Sequence, residues 1–259
     1  MTVHSPISTA PAPAKKVVFC TPSLSGPTAP FVRSLEASLP LIEEAGYEHG
    51  MAQIVGNPYI SAARATMLRS ALDAKADIIV FLDYDMSWKP RDLLTLIETE
   101  GDVVAGTYRP KTDEENYMGT IETHPVTHAP VVRESDGAIA AKLIPAGFLK
   151  MTKEAVDTFM VAYPELCYGP QYHLSVDLFN HGVFDRIWWG EDYSFARRWR
   201  DKCGPIWVVP NIDLDHNTKD KVYRGNYHRY LLRQPGGSEF RPTSTDEFIG
   251  EVVERARWT

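Results

Sequence analysis

The stretch IIVFLDYDMSW, residues 78–88, decides how the rest of the chain is read. Five apolar residues, rich in β-branched side chains, end abruptly at Asp83 and Asp85. A run of that length and content predicts a fully buried strand of a parallel sheet. Charge is costly inside a sheet, so two carboxylates at the carboxyl end of a buried strand mark a site at the sheet's edge. If the strand continues, residues 83 and 85 share a face and both can reach one ion. Paired carboxylates suit a hard divalent cation, Mg²⁺ or Mn²⁺, and a cation so placed can hold a diphosphate.

Around this stretch, strands and helices alternate. A strand begins at Lys16 and runs through VVFC into Thr21, Pro22 and Ser23. Residues 29–45 read as a helix despite Pro40, and 47–55 as a second strand. Asn57 as N-cap and Pro58 in the first helical position predict a helix with Ile60, Ala63, Met67, Leu68, Ala71 and Leu72 on one face and Arg64 near its start. Lys89-Pro90 opens another helix, and residues 102–108 form a strand. The alternation predicts an α/β fold: a Rossmann-like, mostly parallel central sheet with helices on both faces. Beyond it, 117–144 has hairpin-like patches, 152–162 reads as a helix, and 163–189 is aromatic-rich without a period. A helix from Glu191 to Lys202 ends at Gly204, and IWVVP is one more strand. Residues 1–14 are expected to be a disordered leader, 15–230 a catalytic domain, and 231–259 a tail with a short helix.

Composition narrows the partners. A formal charge of −7 argues against nucleic acid or an anionic membrane as the main partner. An anionic substrate then needs a metal or a local basic cluster. The three scattered cysteines, Cys20, Cys167 and Cys203, have no ligand spacing and fit a reduced, cytoplasmic protein with buried thiols rather than disulfides. No apolar run approaches the roughly 18 residues of a membrane span.

Two further segments carry candidate chemistry. In WWGEDYSFARRWR, Glu191 and Asp192 open a helix, where acidic residues also complement the helix dipole. A carboxylate facing an acceptor hydroxyl is a candidate general base, with Asp192 first choice and Glu191 second. In VVPNIDLDHNTKDK, His216 follows a strand, with Asp213 and Asp215 as rivals for a metal. By alternation, Asp213 and Asp215 share one face and His216 takes the other. Imidazole suits Mn²⁺ better than Mg²⁺. Downstream, Lys219, Lys221, Tyr223 and Arg224 read as a polar loop that can close on a diphosphate.

The order of these segments resembles that of nucleotide-sugar glycosyltransferases of the GT-A fold, close to the family-2-like group, whose DxD motif ends a strand of the nucleotide-binding half. The resemblance spans residues 16–226. It implies that Asp85 and His216 ligate Mn²⁺ or Mg²⁺, and that Asp83 reaches the ribose or a metal-bound water. It implies donor contacts at Thr21, Pro22, Ser23, Tyr84 and Arg64. Gly106-Thr107-Tyr108-Arg109 resembles the segment after the metal strand. Pro145-Ala146-Gly147-Phe148 resembles a small-residue turn where backbone approaches the sugar, at Gly147. Trp188 and Trp189 are candidates for sugar stacking or for the core. The implied activity is hexose transfer from a UDP- or GDP-sugar to an unknown acceptor hydroxyl, such as a glycan or lipid-linked sugar. The alternatives are a sugar-phosphate nucleotidyltransferase and a non-catalytic nucleotide-sugar binding module. CTPSLSG lacks the basic, Gly-rich loop that the nucleotidyltransferase needs.

Overall fold

A computed structural model describes residues 14–234. The leader and tail expected at 1–14 and 231–259 lie almost wholly outside them. Along the chain run β1 (Lys16–Ser23), α1 (Ala29–Glu44), β2 (Glu48–Val55), α2 (Ile60–Asp73), β3 (Ile78–Leu82), β4 (Met86–Trp88), α3 (Pro90–Glu98) and β5 (Val103–Ala105). Then come β6 (Thr120–Ile121), β7 (Ile139–Leu143), β8 (Phe148–Thr152), α4 (Lys153–Ala162) and the short pair β9 (Cys167–Tyr168) and β10 (Ser175–Val176). A hairpin, β11 (Gly182–Phe184) and β12 (Ile187–Trp189), leads into α5 (Glu191–Lys202). The last elements are β13 (Ile206–Val208), β14 (Asp213–Asn217), β15 (Val222–Asn226) and α6 (Tyr227–Arg233), which crosses the expected boundary at residue 230.

The main sheet has the order β2-β1-β3-β8-β5-β13-β7-β6. Strands β1, β2, β3, β5, β6 and β13 share one direction, and β7 and β8 oppose them. The fold is therefore α/β with a large, mostly parallel central sheet, as the alternation predicts. β3 is buried at every position. Ile79 and Phe81 face one core with Met67, Leu68 and Ala71 of α2, Phe159 of α4 and Trp199 of α5. Ile78, Val80 and Leu82 face the other, with Phe31 and Ile42 of α1 and Leu93 and Ile97 of α3. Helices thus cover both faces, and the buried strands read as apolar runs for that reason.

Three local expectations need correction. α2 begins at Ile60 with Tyr59 as N-cap, because the Asn57 side chain instead accepts the Tyr59 N–H at 2.9 Å in an Asx turn. Tyr223 and Arg224 belong to strand β15, paired residue for residue with β14, so the expected polar loop is a hairpin whose turn is closed by the Thr218 N–H on the Lys221 carbonyl. β8 has no counterpart in the pattern of the sequence. It carries Lys150, whose ammonium is buried against the carbonyls of Ile97 and Thr99 at the end of α3. A charge in mid-strand hides the apolar pattern. All three cysteines are free thiols, but only Cys20 is buried as expected; Cys167 and Cys203 are half-buried. No described helix is long and apolar enough to cross a membrane.

Candidate active site

β1 pairs with β3 only as far as Cys20–Phe81, and its last residues, Thr21, Pro22 and Ser23, pair with β2 alone. The sheet therefore opens at the carboxyl ends of β1 and β3, the usual ligand crevice of such folds. The Thr21 and Ser23 hydroxyls are buried there with no hydrogen-bond partner among the described residues.

Asp83 and Asp85 do not continue the strand. The Met86 N–H bonds the Asp83 carbonyl at 3.0 Å, which closes a turn between β3 and β4. The turn is tied to α1 through Tyr84, whose carbonyl accepts the Thr28 N–H at 2.9 Å. The two carboxylates consequently meet different partners, contrary to a shared strand face. Asp83 Oδ1 accepts from Arg64 Nη2 at 2.9 Å, and its Oδ2 faces the Tyr108 hydroxyl at 3.5 Å. Asp85 is 7 % exposed and meets Lys111 and His216.

Arg64 of α2 is 2 % exposed and spans two carboxylates: Nη2 to Asp83 and Nη1 to Glu191 Oε1 at 2.6 Å. Its guanidinium lies over the Phe179 ring. Burial opposes its charge, but Asp83, Glu191 and Asp192 outweigh that and push its pKa up. Arg64 thus stands beneath the site as a clamp between its two acidic segments, with each Nη bonded to a carboxylate and its Nε buried without a partner among the described residues.

Asp85 meets an imidazole and an ammonium. His216 lies opposite Met86 on β14, on the face of that strand away from Asp213 and Asp215. Its Nδ1 is 2.9 Å from the Arg109 carbonyl, so that nitrogen carries the proton. In the neutral ring Nε2 then offers a lone pair, 3.6 Å from Asp85 Oδ2. The Lys111 ammonium contacts the same oxygen. Burial would raise the Asp85 pKa, but His216, where its ring is charged and Nε2 donates, and the Lys111 ammonium outweigh it and hold the carboxyl below its usual range. Asn217 fixes the Asp85 backbone: its backbone N–H and Nδ2 both donate to the Asp85 carbonyl, at 2.8 and 2.9 Å. A carboxylate oxygen and an imidazole nitrogen 3.6 Å apart are donor types that suit Mn²⁺, with the rest of its shell left to ligand oxygens. Among the described residues no group of three or more acidic, His or Cys side chains could hold a metal alone. Asp213 and Asp215 take the other face of β14, as alternation predicts, where Asp213 pairs with Lys89.

Glu191 and Asp192 open α5 after Gly190. Glu191 is engaged by Arg64. Asp192 accepts the Tyr193 N–H, at 2.8 Å. Burial, then the charge of Glu191, pushes the Asp192 carboxyl up to about 6. Asp192 is thus able to take a proton not far below neutrality.

Gly147 packs against Asp83. A Cβ there would lie 2.3 Å from the Tyr108 hydroxyl and 2.5 Å from Asp83 Oδ2. The space of the missing side chain is thus filled by the site itself. Lys221 pairs with Asp113, while Lys219 is exposed. Arg224 stands opposite Asp215, on the face away from His216, and lines a separate cavity of about 430 Å³ with Lys89, Asp213 and Asn226. Trp188 is 66 % exposed; Trp189 lies under the Arg197 guanidinium. Sequence reasoning singles out neither Lys111 nor Asn217; the run RPKTDEEN directly after GTY is the available signal for the first.

No family model matches the chain, and no curated protein matches it. Several solved structures do. A glycosyltransferase involved in glycosylation of the major capsid of PBCV-1 aligns at 10% identity and TM-score 0.32, over 58% of this chain and 65% of that one. S. aureus TarS 1-349 aligns at 13% identity and TM-score 0.42, over 93% of this chain and 71% of that one, and has also been solved with UDP-GlcNAc and with UDP. The inositol-1-phosphate CTP transferase of T. maritima aligns at 11% identity and TM-score 0.36, over 94% and 98%. At such identities and scores the likeness bears on neither reaction nor substrate.

Proposed function

We propose that the chain is a metal-dependent glycosyltransferase that moves a hexose from a UDP- or GDP-sugar to an acceptor hydroxyl. One arrangement supports this reading: Asp85, just past the end of β3, stands 3.6 Å from His216, Asp192 opens α5 with a raised pKa, and Arg64 joins the two acidic segments through Asp83 and Glu191.

Asp85 and His216 would hold a divalent cation, which would supply positive charge for the donor diphosphate. Mn²⁺ suits the imidazole better than Mg²⁺. Asp83, held by Arg64, presents its carboxylate toward the ribose side. The nucleoside lies toward Thr21, Pro22 and Ser23, where the unpartnered hydroxyls of Thr21 and Ser23 supply donors or acceptors. Asp192 takes the proton of the acceptor hydroxyl as that oxygen bonds to the sugar's anomeric carbon. The bond from that carbon to the diphosphate breaks, and its electron pair leaves with the phosphate oxygen. A base at Asp192 fits a single displacement with inversion. Glu191, occupied by Arg64, holds the helix end in place.

The test is release of nucleoside diphosphate from UDP- and GDP-hexoses, with Mn²⁺ and with EDTA. Release is expected to require the metal and to be lost in Asp85→Ala. Release indifferent to both refutes the reading. Pyrophosphate formed from a nucleoside triphosphate and a sugar phosphate would favour nucleotidyl transfer instead.

A further inference from the structure

Lys111 lies in the segment between β5 and β6, and its ammonium contacts the Asp85 oxygen that faces His216 Nε2. A cation already occupies the position where the metal reading needs one. We propose that Lys111 is the resident counter-ion of this site: it neutralises Asp85 until a divalent cation arrives with the donor, then yields Asp85 and turns its ammonium to the diphosphate. The inference rests on the reading above.

Three observations favour exchange over a fixed structural pair. Asp85 is 9 % exposed at its side chain while Lys111 is 38 % exposed, so the lysine can swing out where the aspartate cannot. The segment around Lys111 is held independently of that contact. Arg109 Nη2 donates to the Thr112 and Asp113 carbonyls at 3.3 and 3.1 Å, and Lys221 pairs with Asp113. Finally, Arg64 is already spent on Asp83 and Glu191. In a chain of net charge −7, that leaves Lys111 as the described ammonium in contact with the cation site that is free to meet a phosphate.

Competition and hand-over have opposite signatures. Removing the ammonium should help a bare cation and hurt a bare diphosphate. Linkage then makes nucleotide and metal reinforce each other more in the native protein than in the variant. Mn²⁺ binding by electron paramagnetic resonance, and UDP and GDP binding by calorimetry in EDTA, read these without any turnover. Lys111→Met is expected to bind Mn²⁺ on the order of tenfold more tightly without nucleotide, and to bind the nucleoside diphosphate without metal on the order of tenfold more weakly. Lys111→Arg, which keeps the charge, should stay within about threefold of the native protein in both. Unchanged or weaker Mn²⁺ binding by Lys111→Met would overturn the proposal, as would loss of nucleotide binding with no gain in metal, which would make Lys111 the permanent cation. If the native protein binds neither Mn²⁺ nor either nucleotide, the glycosyltransferase reading fails with it. If the native protein binds both together and Lys111→Met does not differ, only the role of Lys111 falls.

Discussion

Arg64 and Glu191 are 127 positions apart in the chain, and Arg64 Nη1 meets Glu191 Oε1 at 2.6 Å. With Nη2 on Asp83, this one guanidinium joins α2, the turn after β3 and the start of α5. Removing it would leave two carboxylates facing each other across a buried space.

Breaking a buried pair from one side is far costlier than replacing it whole. Arg64→Met is therefore expected to lose about 3 kcal/mol of stability, the lower end of that range, since Asp83 and Glu191 keep some solvent. Urea denaturation measures it. Combining Arg64→Met with Asp83→Asn and Glu191→Gln should recover much of the loss; a triple variant as unstable as the single one would contradict the account.

Asp192, pushed up to about 6, predicts an acid limb in the rate. The base works deprotonated, so kcat should fall as pH drops through about 6. Asp192→Asn should lower kcat by a factor on the order of 100 to 10,000 and leave donor affinity nearly intact. Stability should move the opposite way. The folded carboxyl lies above the ordinary 3.8, so the folded chain holds more protons between the two values and loses stability as pH rises through that window. At neutral pH, Asp192→Asn should thus be at least as stable as the native protein in a thermal melt.

Gly147→Ala places a Cβ 2.3 Å from the Tyr108 hydroxyl and 2.5 Å from Asp83 Oδ2. Overpacking of this kind costs about 1–3 kcal/mol. Asp83 must also turn from Arg64, so donor KM should rise more than kcat falls. Adding Tyr108→Phe removes one of the two clashes and should restore part of the stability. An alanine variant with native stability and KM would show that the pocket yields freely.

Asn217 is 3 % exposed, and its Nδ2 serves the Asp85 carbonyl and Ser87 Oγ, each at 2.9 Å. Asn217→Ala should cost about 1–2 kcal/mol through these lost bonds. It should also weaken Mn²⁺ binding modestly, because the Asp85 carbonyl loses the Nδ2 bond and keeps only the one from the backbone N–H at 217, while the acid limb assigned to Asp192 stays in place.

Local pattern carries the sheet well. IIVFL is a buried strand because both its faces are covered, and the alternation of 213–217 separates His216 from Asp213 and Asp215 as it should. What escapes is what depends on partners far away. Lys150 masks β8 because its charge is satisfied by carbonyls of α3, some 50 residues earlier. The turn at Asp83–Asp85 splits two carboxylates that a strand would align, and only the places of Arg64 and His216 say which goes where. Lys111 looks like any surface lysine until the chain brings Asp85 beneath it.

The place of β13 has a consequence for biosynthesis. Its residues, Ile206–Val208, sit between β5 and β7, strands made long before it. On the ribosome β5 must wait with an open edge, a stage that invites chaperones or misassociation. β14, which brings His216 to Asp85, emerges later still. His216 thus reaches Asp85 only after the strand that fills the gap between β5 and β7 has been made.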